Sequence, residues 1–240
     1  MNYWGRIFFE YDDVGRLISV KGQPLENHVG NSRYILAAFS SEYFYPPTRD
    51  RLLQAAERHD DGKKDTFQII DNHKTEKKHR GYANGKRFSY SFAGHRFRVP
   101  GKDPYIDGLI RSHHEFSVAQ INREKSKFPD AEKPHFADDL YLLCMADQLE
   151  AELAVKTVQK TDGDLPRTFM EFVTRRVADA ADIFTVVPWP FETEALSITL
   201  ALRTPRLEAL STASAKEIKH AFEHGDTFDD ETLTITLWRQ

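Results

Sequence analysis

His59 and Asp60 stand side by side in Ala55-Ala56-Glu57-Arg58-His59-Asp60-Asp61-Gly62-Lys63. An imidazole and a carboxylate adjacent at a predicted helix end can both reach one divalent metal. Further potential ligands flank the pair: His28 before it, then His95, the doublet His113-His114, and Asp147. Imidazole suits Mn, Fe, Co, Ni, Cu or Zn, and a carboxylate can hold two such ions at once. A pair of ions about 3.5–4 Å apart clamps the attacking and leaving oxygens of a phosphodiester and supplies a nucleophile at neutral pH. The residue types and their order point to a metal-dependent hydrolase.

Each candidate has a plainer role to compete with. His is favoured by the dipole at a helix C-terminus, but Asp is not, so Asp60 there calls for a cation. His113 and His114, if helical, sit about 100° apart around the axis. One can ligate while the other supports it or binds a second ion. Asp147 follows the apolar run Leu142-Leu143-Cys144-Met145-Ala146, where a carboxylate needs a partner and a metal would serve. His28 precedes a predicted helix by a few residues, and His95 follows Gly94 in a predicted turn. Lys63 is placed to contact phosphate or orient the site, and Arg111 and Ser117 flank the doublet as candidate substrate contacts. His73, His79 and His135 lie in polar loops, while His220 and His224, spaced i, i+4, could bind a metal or simply line an exposed helix face.

The elements that must position these residues follow from periodicity. Ile7 to Tyr11 and Arg16 to Val20, joined by Asp12-Asp13-Val14-Gly15, read as a hairpin. Asn31-Ser32 can cap a helix carrying Tyr34, Ile35, Leu36, Ala38 and Phe39. A second helix is predicted from Thr48 or Asp50 to His59, with Gly62 as its stop. A third runs from about Pro104 through His114 to Ile121. The strongest starts near Asp138 or Asp139 and reaches Val155, with Leu140, Leu143, Ala146 and Leu149 on one stripe. Strands are predicted at 87–92, at 183–187, at 196–202 and at 232–238, and a helix over 213–224.

Composition sets the frame. The chain has 240 residues, 40% hydrophobic and 12% aromatic, enough to bury a full core. No apolar run reaches membrane-spanning length, and the N-terminus lacks the features of a secretory signal. A single cysteine, Cys144, excludes an internal disulfide framework and a thiolate zinc cluster, so a cytoplasmic location is expected. Net charge is −4, yet from Lys74 to Lys102 nine Lys or Arg face one acid, Glu76. Tyr82, Phe88, Tyr90, Phe92 and Phe97 are interleaved. Cations neutralise phosphates and aromatic faces stack on unpaired bases, so Lys86, Arg87, Arg96 and Arg98 are candidate contacts to single-stranded DNA. The alternative is a solvated basic hairpin with its aromatics turned to the core.

The order His28, His59-Asp60 with Asp61-Gly62-Lys63, His95, His113-His114, and Ala146-Asp147-Gln148-Leu149 resembles the HD phosphohydrolase superfamily. Within it, the chain looks most like the HD nuclease domain of the type I CRISPR-Cas helicase-nuclease. The likeness covers about residues 25 to 155. It implies a mainly α fold and two divalent transition-metal ions (Mn, Ni, Co or Fe) held by His28, His59, Asp60, His95, His113, His114 and Asp147. It also implies Asp60 as the bridging catalytic carboxylate, assisted by Lys63, and cleavage of single-stranded DNA in CRISPR-Cas interference. The segment around His95 departs from the family's helical context. No Gly-x-x-x-x-Gly-Lys-Ser/Thr loop is present, so a separate or fused helicase and the CRISPR surveillance complex are expected partners. Other readings are an HD phosphohydrolase of nucleotides or cyclic nucleotides, and a non-catalytic module on a degenerate HD fold. The expected architecture is an HD-type helical core over 1–160 with a small antiparallel β subdomain in an appendage over 161–240.

Overall fold

A computed structural model of the chain describes residues 1–71, 88–92, 99–114, 117–159, 189–225 and 227–239. Strand β1 (Trp4–Tyr11) turns through Gly15 into β2 (Leu17–Pro24), and the two pair antiparallel as the alternation predicts. Helix α1 (Leu25–Ala37) begins immediately after Pro24. The Asn31-Ser32 pair expected to cap this helix therefore lies inside it, and His28 sits in its first turns rather than ahead of it.

Helix α2 (Pro46–Arg58) has proline in its first turn, where no intrahelical N–H is lost, and ends at His59 as expected. Gly62 does not provide a left-handed stop. Its φ of −63° is helical, and it leads into the short α3 (Lys63–Thr66) and then β3 (Phe67–Asp71). Strand β4 (Phe88–Phe92) pairs with β3 in a two-stranded sheet. The helix predicted over 104–121 is two helices. Asp103 caps α4 (Pro104–Ser112) by accepting from the Tyr105 and Ile106 amides, the helix ends before the His doublet, and α5 (Val118–Lys125) follows. Helix α6 (Lys133–Gln159) starts five residues before the first of the predicted acids. Strand β5 (Ala195–Pro205), α7 (Ala215–His224) with its Ser214/Glu217 capping box, and β6 (Phe228–Trp238) complete the described elements. The strand predicted at 183–187 lies outside the described residues.

The expectation of a mainly α fold is overturned. Six strands are described, and four of them form one antiparallel sheet in the order β1-β2-β5-β6, so the protein is a mixed α/β fold. Nor is the sheet a feature of the C-terminal third. Gly22 of β2 pairs with Arg203 of β5, so strands from the first 24 residues and from 195–238 build one sheet. Local alternation identified β1, β2, β4, β5 and β6 but not β3, which was not predicted. It carries no record of which strand pairs with which, and the family likeness began only at residue 25. On β5, Leu196, Ile198, Leu200 and Leu202 are buried on one face, while Ser197 and Thr199 face outward and bond to Thr236 and Thr234 of β6.

Two compact units make up the chain, each assembled from several segments. The first comprises residues 1–28, 62–96 and 200–233. Its core gathers Trp4, Ile7, Leu17, Val20, Ile69, Phe88, Ile218 and Phe222. Trp4 stands edge-on to Phe222 at 4.6 Å between centroids and donates its Nε1–H to the Phe222 carbonyl at 2.9 Å. A Cβ at Gly22 would come within 2.5 Å of both rings, so only glycine lets β2 pass behind that pair. The second unit comprises 29–61, 97–199 and 234–240. In it α2, α4 and α6 pack on one another around Leu52, Ala55, Leu109, Ile110, Leu140 and Leu143. Among the described residues no helix is long and apolar enough to cross a membrane.

Candidate metal centre

Four of the predicted ligands are brought together as one buried group: His28, His59, Asp60 and Asp147. Asp60 also belongs to a second group, with His113 and His114. Within each group every member offers a ligand atom within 4.8 Å of the others. His113 is buried and His114 exposed, so the second group opens to solvent. His28 rides on α1, an unbroken helix that continues from Val29 as part of the second unit. Gly5 of β1 lies against it, and a Cβ there would come within 2.7 Å of the His28 Cβ.

Two helix ends supply most of the donors by the same local device. His59 caps the C-terminus of α2, and its Nδ1 lies 2.7 Å from the Ala56 carbonyl oxygen. His113 caps α4, and its Nδ1 lies 2.8 Å from the Ile110 carbonyl oxygen. In each case the ring meets the carbonyl three residues back, one of the acceptors that a helix end leaves over. With Nδ1 donating, Nε2 keeps its lone pair and is aimed away from the helix, the arrangement that metal-binding histidines use. The negative ends of two helix dipoles also converge here, which favours a cation.

The lone pairs face carboxylates. His59 Nε2 lies 3.4 Å from Asp147 Oδ1 and 3.6 Å from Asp60 Oδ2. His113 Nε2 lies 3.7 Å from the other oxygen of Asp60. Each Asp60 oxygen thus faces a different imidazole, and the two rings stand perpendicular with centroids 5.0 Å apart. Acceptors packed this closely repel one another unless a positive charge lies among them. Two carboxylates and neutral imidazoles at zero to a few per cent exposure are a fitting donor set for a divalent transition metal.

His113 and His114 are not neighbouring positions along a helix, as expected, because α4 ends at Ser112. Their rings lie 4.1 Å apart in the turn that follows. Lys63 donates from Nζ to the Gly5 carbonyl at 3.2 Å, and its ammonium stands 4.9 Å over the Phe92 ring. Arg111 is engaged with Glu124 at 3.0 Å. His95, Lys86, Arg87, Arg96 and Arg98 lie outside the described residues. Three supporting residues escaped the sequence reading. Cys144, read as core, is buried and also donates its thiol to the His113 carbonyl at 2.9 Å. Asn31, read as a cap, donates to Glu150 at 3.3 Å, and both are buried. Their signal was the spacing: Asn31 follows His28, and Glu150 follows Asp147, by three residues each.

Comparisons with family models, with curated proteins and with solved structures give no match.

Proposed function

We propose that the chain is a metal-dependent nuclease that hydrolyses phosphodiester bonds of single-stranded DNA in CRISPR-Cas interference. The observation that carries this reading is the sharing of Asp60 between two ligand groups, one buried and one open. A carboxylate common to two ligand groups suits a pair of ions, and a pair of ions is what clamps the attacking and leaving oxygens in phosphodiester hydrolysis. When bound, Mn, Ni, Co or Fe would supply a nucleophile at neutral pH and offset charge on the phosphoryl oxygens. His28, His59, Asp60 and Asp147 would hold one ion, and Asp60, His113 and His114 the other. Substrate would approach from the side of the exposed His114. Lys63 stands three residues beyond Asp60 as a cation for the phosphate backbone. The nine cations from Lys74 to Lys102 favour a polymer over a free nucleotide, while of the interleaved aromatics Phe88 belongs to the core with Tyr90 packed against it. A separate or fused helicase and the surveillance complex would present the strand, in the cytoplasm where Cys144 stays reduced.

The test is cleavage of circular single-stranded DNA by metal-stripped protein with Mn, Ni, Co, Mg or nothing added back. Nucleoside triphosphates and cyclic nucleotides run alongside. Cutting of the circle with a transition metal alone is the expected result. Asp60→Asn should lower it by more than about 100-fold, beyond the 10–100-fold that residues supporting a ligand cost. Nucleotide hydrolysis with intact DNA would move the protein to the small-molecule phosphohydrolases. Silence on both would leave a non-catalytic module.

A further inference from the structure

We infer that Asn31 and Glu150 form a tie between α1 and α6 that sets the spacing of His28 and Asp147, an inference that rests on the metal-centre reading above. His28 and Asp147 belong to one buried ligand group yet come from two different helices. Their separation is therefore fixed by how α1 meets α6, not by local backbone geometry.

Residues three apart on a helix lie on one face. Asn31 is three residues after His28 on α1, and Glu150 is three after Asp147 on α6. The same two faces that carry the ligands thus carry this second pair one turn further along. Asn31 Nδ2 donates to Glu150 Oε1 at 3.3 Å in a buried setting. Glu150 is fully buried, and a carboxylate taken out of water is held only where it is hydrogen-bonded or paired. Such a bond has a narrow range of acceptable lengths. One turn away, a helix shift that lengthens it also separates His28 from Asp147. Glu150 belongs to neither ligand group, so its role is positioning.

The experiment measures Mn binding by calorimetry on the full, metal-stripped chain, together with the Tm of the metal-free protein. Asn31→Leu, close in size but unable to donate, should bind Mn 10–100-fold more weakly at a temperature well below its Tm. Glu150→Gln keeps an acceptor oxygen at the same reach and should retain the wild-type affinity. Should Asn31→Leu not fold, Asn31→Ser, too short to reach Glu150, must show the same loss. A lower Tm in these donor-lacking variants with unchanged Mn affinity would make the bond merely structural and overturn the tie. Equal weakening by Glu150→Gln would assign the effect to the buried charge and overturn it also. Wild-type protein that takes up no Mn would overturn the metal centre itself, a result distinct from either of these.

Discussion

At His59 and His113 a backbone oxygen decides what the side chain can do. The Ala56 and Ile110 carbonyls engage Nδ1 and leave Nε2 as the nitrogen directed at the carboxylates. A different arrangement holds Asp139, a buried carboxyl on α6 that accepts from the Tyr105 hydroxyl at 2.7 Å. Burial pushes the Asp139 carboxyl above its ordinary 3.8, against hydrogen bonds from Thr48 and Tyr105 that pull it down. Burial, and then the charge of Asp139, push the Tyr105 hydroxyl far up, so it remains a donor. The folded protein thus holds the Asp139 proton more tightly than the unfolded chain does. This group favours folding fully below pH 3.8, and its contribution is lost as pH rises through the raised value. Asp139→Asn keeps an acceptor for Tyr105 and removes the titration. Its Tm relative to wild type should climb as pH rises above 3.8 in paired melts of metal-stripped protein. A difference that stays flat with pH would show that Asp139 titrates alike folded and unfolded.

Among the elements, β2 carries the sharpest packing constraint. Gly22 passes the Trp4 and Phe222 rings with no room for a Cβ. Gly22→Ala should cost about 1–3 kcal/mol, seen as a lower denaturant midpoint at unchanged slope. A midpoint equal to wild type would mean that the two rings can shift at little cost. The helix end at His59 was legible because Leu52, Ala55 and Ala56 give a clean apolar face up to the pair. The start of α1 was not, since Leu25 has no capping side chain and Asn31-Ser32 mimics a cap about two turns too late. The break at His113 was also hidden. Neither Gly nor Pro marks it, and the chain leaves the helix where His113 turns back onto Ile110. Four candidate ligands and the doublet could be named in advance because imidazole and carboxylate chemistry is local. The supporting partners could not, because Asn31 and Glu150 meet only once two distant helices do.

On the scale of the whole molecule, charge is unevenly distributed along a chain of net charge −4. The basic stretch predicts a salt effect that depends on number of contacts more than on their exact geometry. Replacing Lys86, Arg87, Arg96 and Arg98 by Gln should weaken single-stranded DNA binding. It should also flatten the slope of log K against log salt by up to about 3. An unchanged slope would return the segment to a solvated hairpin. The sheet, not the helices, decides the architecture at this scale, and its register across β2 and β5 was beyond any local reading.

That register also bears on how the protein is made. Leaving the ribosome, β1 and β2 can close their hairpin at once, but the partner of Gly22 is still about 180 residues away. At about 5–20 residues per second, β2 waits about 10–35 s for β5. Ile69 and Phe88 reach the core around Trp4 early, but the Trp4 ring lacks its Phe222 partner throughout that interval and is on offer to a chaperone.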